Sequence, residues 1–188
     1  MPDVLTPNAP TPDQRFARCD ALVDSWEGGA TFTDNPRDPG GATKHGITLA
    51  TLTAWRQQAC TAADVAALSA AEASAIRRKL YWDKVAGDRL PVGLDLEVYD
   101  MAVNMGQGTA GRALQTVLGL TPDGVVGPVT LLAVHTHGDL GQMIGDLYIR
   151  RAALYRAMAG FPLFGQGWLR RAEACANTAK AWAVKANL

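Results

Sequence analysis

A chain of 188 residues, 48% apolar and 7% aromatic, is long enough to bury one good core or two small ones. Its 18 Lys and Arg balance 18 Asp and Glu, which excludes the basic footprint that nucleic acid requires. No apolar run is long enough to cross a bilayer, and Met1-Pro2-Asp3 has neither the basic start nor the apolar stretch of a secretory signal, so a protein made in the cytoplasm without stable membrane insertion is expected.

Charge is unevenly spread along the chain. Residues 1–139 hold 11 basic and 16 acidic side chains, whereas residues 140–188 hold 7 basic and 2 acidic. A basic end of this kind can meet an anionic polymer or pair with the acidic front of the same chain. Cys19, Cys60 and Cys175 are odd in number and far apart, which suits a reducing compartment, offers no metal-ligand spacing and leaves them to fill core space. Neither a metal nor another cofactor is expected.

Residues 1–10, with Pro2, Pro7, Asn8 and Pro10, read as a flexible arm. Thr11, Pro12 and Gln14 then form a capping box, and Phe16, Cys19, Val23 and Trp26 recur at helical spacing. Glu27 falls in the last turn of that helix, and Gly28-Gly29 supply the left-handed conformation that ends it. The negative end of the helix dipole and the apolar surface of Trp26 disfavour an ionised side chain there, a setting suited to a general acid. An exposed glutamate before a helix-capping glycine pair would look the same.

Asp38-Pro39-Gly40-Gly41 places Pro39 and Gly40 where a type II turn wants them, flanked by short Thr-containing runs that can pair as a hairpin. Asp34, Asp38 and Thr43 would then line a small lobe facing Glu27. Thr48 can cap a helix reaching about Gln58, and Ser69 with Glu72 makes a capping box for a helix through Ile76, Leu80 and Val85 that Gly87 ends. Tyr81 and Trp82 lie in that helix, where aromatic rings either stack on a sugar at a cleft edge or pack in the core.

Pro91 and Gly93 introduce a helix that is apolar nearly all round through Leu94, Leu96, Val98, Tyr99, Met101, Val103 and Met105. Glu97, Asp100 and Asn104 nevertheless form a polar strip, which a buried helix carries only if each group has a partner. A helix over about 110–118 ends at Gly119, Pro122-Asp123-Gly124 marks a turn, and Pro128 starts another helix. A long helix from about Leu140 to Met158, broken at Gly160 and Pro162, precedes a last one from about Gly167 to Ala186. His135 and His137 beside Gly138 suit a helix end better than a metal site. The pattern is mainly α with one small β-hairpin lobe next to the helix that carries Glu27, and it contains neither internal repeats nor a Gly-rich phosphate loop.

Glu27-Gly28-Gly29, Asp38-Pro39-Gly40-Gly41-Ala42-Thr43 and Gly46-Ile47-Thr48 resemble the signature of glycoside hydrolase family 108, the phage-type N-acetylmuramidase endolysins. Tyr81-Trp82-Asp83, Gly87-Asp88, Leu90-Pro91 and the run from Tyr99 to Gly106 resemble its continuation. Leu114-Gln115, Leu118-Gly119 and the run from Asp123 to Pro128 are similar to the predicted peptidoglycan-binding region that follows. The resemblance spans roughly residues 16–171 and departs from the pattern between Gly29 and Asp38, where Ala30-Thr31-Phe32-Thr33 replaces a shorter aromatic step.

The resemblance implies a lysozyme-like fold over residues 11–90 and a helical, wall-binding region over 91–188, packed as one compact unit and acting as a monomer. It implies a bacteriolytic hydrolase that cuts the β-1,4 bond between N-acetylmuramic acid and N-acetylglucosamine in peptidoglycan, for lysis or wall remodelling. Glu27 would protonate the leaving oxygen, Asp38 or else Asp34 would serve the other face, Thr43 would hold a water, and Tyr81, Trp82, Tyr99 and Asn104 would line the sugar groove. A holin or secretion machinery of a phage, prophage or related system would give access to the wall. A lytic transglycosylase using the same glutamate, or a wall-binding module without catalysis, are the alternatives.

Overall fold

A computed structural model describes residues 10–34 and 41–186. The fold is mainly helical with a small two-stranded antiparallel sheet, the lysozyme-like class expected. The elements are α1 (Pro12–Trp26), β1 (Thr43–Lys44), β2 (Ile47–Thr48), α2 (Leu49–Arg56), α3 (Ala62–Ala66), α4 (Ala70–Arg77), α5 (Leu94–Met105), α6 (Gln107–Val117), α7 (Pro128–Thr136), α8 (Leu140–Arg156) and α9 (Phe161–Ala186). The arm over residues 1–9 lies outside the described residues.

Two compact units result, and their boundary differs from the expected split near residue 90. One unit is Asp20–Leu80, and the other joins the chain up to Cys19 with Tyr81 onward. Pro91 and Gly93 mark a turn inside the larger unit. The helix that carries Glu27 is instead shared, its first half belonging to one unit and its second half to the other.

Local capping follows the residues closely. Gln14 N–H donates to Thr11 Oγ1 (3.2 Å) while Thr11 N–H donates to Gln14 Oε1 (2.9 Å), the reciprocal box expected for α1. Thr48 Oγ1 caps α2 by accepting from Thr51 N–H (3.2 Å). At α4 half of the expected box forms. Ser69 Oγ accepts from Glu72 N–H (3.1 Å), but the Glu72 carboxylate pairs with Arg56 of α2 through two bonds of 2.9 and 2.7 Å. The charge-assisted fork is stronger than a return bond to one amide, and it holds the Glu72 carboxyl below its usual range. The core of this smaller unit comprises Ala42, Ile47, Leu52, Val65, Leu68, Ala73 and Ile76.

The expected helix from Ser69 to Gly87 is not continuous. After Arg77 it widens to a π-turn over Arg78–Trp82 and tightens to 3₁₀ turns at Asp83–Val85 and Gly87–Arg89, with Ala86 rather than Gly87 in the left-handed conformation (φ 52°). Gly87 is needed for close approach. A Cβ there would lie 2.4 Å from the Trp82 indole, whose N–H donates to Asp88 Oδ1 (2.8 Å).

In the larger unit α5 is buried nearly throughout, packed by α6, α8 and α9. Phe16, Trp82 and Tyr99 make a three-way edge-to-face cluster with centroids 5.3, 6.0 and 5.4 Å apart. The last helix begins at Phe161, earlier than expected, because Pro162 sits in a first turn, where a missing N–H is tolerated. The Phe161 ring then lies over Gly165, where a Cβ would meet it at 2.3 Å.

The polar strip on α5 finds its partners inside the unit. Arg151 of α8 approaches Asp100 at 2.7 Å and Glu97 at 3.7 Å, Arg171 of α9 donates to Asp100 (2.7 Å), and Tyr155 O–H donates to Asn104 Oδ1 (2.6 Å). Among the described residues neither Glu97 oxygen has a hydrogen bond of good geometry. Burial dominates over the attraction of Arg151 and pushes the Glu97 carboxyl up to about 7 from 4.5. The native state therefore holds a proton that the unfolded chain releases between those values, so stability falls as pH rises from about 4.5 through about 7. Denaturant unfolding at pH 5 and pH 8 should show that loss, on the order of a few kcal/mol. Glu97→Gln should shrink it, and an unchanged difference between the two pH values would contradict the buried, protonated Glu97.

Candidate active site

Helix α1 ends as a Schellman motif. Gly28 and Gly29 both have positive φ (86° and 55°), and Gly29 N–H donates to Asp24 O (2.9 Å), six residues spanned in all, while Glu27 N–H still donates to Val23 O (3.0 Å). Glu27 is thereby the C-cap residue. It is half-buried, and its Oε1 atom is shielded from solvent.

The β1–β2 hairpin closes on the two residues His45 and Gly46, with φ of 53° and 71°, the two positive values of a type I′ turn. Asn-Gly is the usual choice here. A histidine in the left-handed region costs on the order of 1 kcal/mol or more and persists only where surrounding bonds over-determine it. Three do so. His45 N–H donates to Gly29 O (3.0 Å), its Nδ1 lies 3.0 and 3.2 Å from the Asp24 carboxylate oxygens, and its carbonyl accepts from Arg77 (2.7 Å). A carboxylate can only accept, so the Nδ1 atom carries the proton.

Arg77, at the end of α4, is 2% exposed and joins all of these pieces. Its Nε and Nη2 grip both oxygens of Asp20 at 2.6 and 2.9 Å, and its Nη1 donates to Asp24 (2.9 Å) as well as to His45 O. Asp20, Asp24 and Glu27 occupy i, i+4 and i+7 along one face at the end of α1. The Gly46 backbone lies against Glu27 so closely that a Cβ on it would come within 3.1 to 3.2 Å of Glu27 Cβ, Cγ and Oε2.

Asp34 is exposed and follows Thr33, which pairs with Thr43 through two backbone bonds of 2.9 and 2.8 Å. The Thr-containing runs therefore do meet. Thr43 Oγ1 donates to Gly41 O (3.1 Å). Asp38, with Pro39 and Gly40 of the expected turn, lies outside the described residues. Glu27, Asp34 and Thr43 thus share the smaller unit.

The four aromatic and polar residues expected along a sugar groove all belong to the larger unit. Trp82 (1% exposed) and Tyr99 (0%) have their ring faces covered by the Phe16 cluster, so they form core where a groove was expected. Tyr81 is half-buried, and Asn104 is exposed with its Oδ1 held by Tyr155. Among the described residues no group of three or more His, Cys, Asp or Glu side chains could hold a metal ion.

Sequence reasoning missed Asp20, Asp24, His45 and Arg77. The spacing of Asp20, Asp24 and Glu27 was a visible signal, since acids on the face that also carries Val23 need a cation. Its identity, 57 residues away, was not visible.

A mainly helical, lysozyme-like fold that presents one shielded carboxyl at a helix end, beside a hairpin turn, is the class of a glycoside hydrolase. A family model described as Glycosyl hydrolase 108 matches residues 21–106. The chain is also similar to the structure of Brucella abortus SagA, with a TM-score of 0.81 and 42% identity over 89% of this chain and 95% of that one. No curated protein sequence matches it. The chain belongs to the glycosyl hydrolase 108 family, whose enzymes degrade peptidoglycan.

Proposed function

We propose that the protein is a muramidase that hydrolyses the β-1,4 bond between N-acetylmuramic acid and N-acetylglucosamine, with Glu27 as general acid. The observation that carries this reading is the Glu27 carboxyl itself, with one oxygen shielded from solvent and its side chain backed by the Gly46 turn, in a chain of this family.

Glu27 gives its proton to the glycosidic oxygen as the bond to the muramic acid C1 breaks, and positive charge develops on the ring. A water completes the reaction at C1 from the other face, its hydroxide going to the muramic acid and its proton to a carboxylate. Asp38 is assigned that carboxylate because it opens the Asp-Pro-Gly-Gly run that carries the family pattern in the sequence, and Asp34 is the next candidate. Thr43 is suited to hold the water, since its own proton goes to Gly41 O and its lone pairs can accept. Tyr81 and Asn104 retain the accessibility that a sugar contact needs. Arg151 and Arg171 are taken up by Asp100 inside the unit, and the exposed Arg150, Arg156, Arg170, Lys180 and Lys185 are assigned to wall contact.

Mass spectrometry of purified peptidoglycan digested by the protein tests the reaction. Hydrolysis yields reducing muramic acid ends, and products lighter by one water, the anhydro sugars, would identify a lytic transglycosylase instead. Glu27→Gln keeps size and hydrogen bonding without a proton to give, so turnover should fall by about 100-fold or more. Residual turnover within about tenfold of wild type would remove Glu27 from the role.

Asp38→Asn should reduce turnover more than Asp34→Asn when both are measured on the same wall preparation. The opposite order would transfer the second carboxylate role to Asp34.

A further inference from the structure

The tie made by Arg77 leads to the one group whose placement the proposed reaction depends on. We propose that Arg77, Asp24 and His45 are positioning residues for the Glu27 carboxyl, acting through the backbone of Gly46; the proposal rests on Glu27 being the general acid.

Each link is a contact within the smaller unit. Arg77 binds Asp20 and Asp24 on α1 and the carbonyl of His45 in the hairpin turn, so one guanidinium fixes the turn against the last turns of the helix. Asp24 takes the His45 ring and, through its backbone carbonyl, the Gly29 N–H that closes the helix end. His45 N–H returns to Gly29 O. The helix end and the turn are thus bonded to each other on both sides of Glu27, and between them Gly46 presents a bare Cα to the glutamate side chain.

Two features point to positioning rather than to ordinary stability. The turn holds a non-glycine residue at φ 53° where a relaxed hairpin would carry Asn or Gly, and such strain survives where the surroundings enforce one geometry. The contact that this geometry produces touches Glu27 at Cβ, Cγ and Oε2, so tightly that a Cβ on Gly46, at 3.1 to 3.2 Å, would fit only if the glutamate gave way. A general acid displaced by even about 1 Å loses on the order of 100-fold in rate, so a rigid backing of this kind acts on turnover more than on binding.

Gly46→Ala tests the proposal on the full chain, with kcat and KM on soluble peptidoglycan fragments, thermal unfolding and product analysis. Gly138→Ala is the control, because Gly138 has a similar positive φ (84°) with nothing within 4 Å of a Cβ. Gly46→Ala should lower kcat by about tenfold or more at nearly unchanged KM, with a fall in Tm close to that of Gly138→Ala, whose kcat should equal wild type. A kcat for Gly46→Ala within about twofold of wild type, or a loss confined to KM, would overturn the proposal.

If Gly46→Ala does not fold, Asp24→Asn decides. It keeps the side-chain size and removes the charge between Arg77 and His45, and kcat should fall several-fold at constant KM; turnover equal to wild type would overturn the proposal. Glu27→Gln measured alongside keeps the two ideas apart. An inactive Glu27→Gln with an active Gly46→Ala rejects positioning alone, whereas an active Glu27→Gln rejects the general acid itself.

Discussion

The smaller unit depends on one buried guanidinium. Arg77 carries a full charge into a site almost without solvent, which is unfavourable unless every donor direction is used. Two carboxylates from α1 and a carbonyl from the hairpin take four of its N–H donors. An apolar triad of the same volume could stabilise the unit as well, but it would not select one relative placement of helix end and turn. Directional bonds do, because a shift of either piece breaks a charge-assisted contact inside a medium of low dielectric.

The larger unit handles its buried charges by a different balance. Asp100 receives two arginines, Arg151 from α8 and Arg171 from α9, whereas Glu97 lies 3.7 Å from the nearest Arg151 nitrogen and is desolvated. The same helix thus carries a strongly paired acid and, one turn earlier, an acid for which the protonated form is favoured. Burial alone does not set the charge state. The number and geometry of donors that reach the group decide it.

In the candidate site the carboxyl and its support come from different elements. The Glu27 carboxyl comes from a helix end whose conformation two glycines dictate locally, while the surface backing it comes from a turn 19 residues later. The aromatic residues show the limit of composition as a guide to binding. Tyr81 and Trp82 are adjacent in sequence, yet the π-turn that contains them leaves one half-buried and one wholly covered. In a regular surface helix such a pair would have offered neighbouring faces to a ligand.

Local physics made much of this protein readable from its residues. Thr11 with Gln14 and Thr48 mark helix starts because a side-chain oxygen meets an amide three residues on, and Gly28-Gly29 marks the helix end because those residues alone enter the left-handed region at no steric cost. The carboxyl at that end was legible for the same reason, as was the need of Glu97, Asp100 and Asn104 for partners. What the residues could not reveal was which partners. Arg77 on Asp20, Arg151 and Arg171 on Asp100 and the indole of Trp82 on Gly87 join elements by packing, not by sequence spacing. The same packing overrode local preference twice, turning Glu72 from its own cap to Arg56 and breaking the helix after Arg77 into π and 3₁₀ turns. Sequence determined where a carboxyl would stand at a helix end; tertiary structure alone decided what holds it there, because a buried charge takes its partner from whatever the fold brings within hydrogen-bond reach.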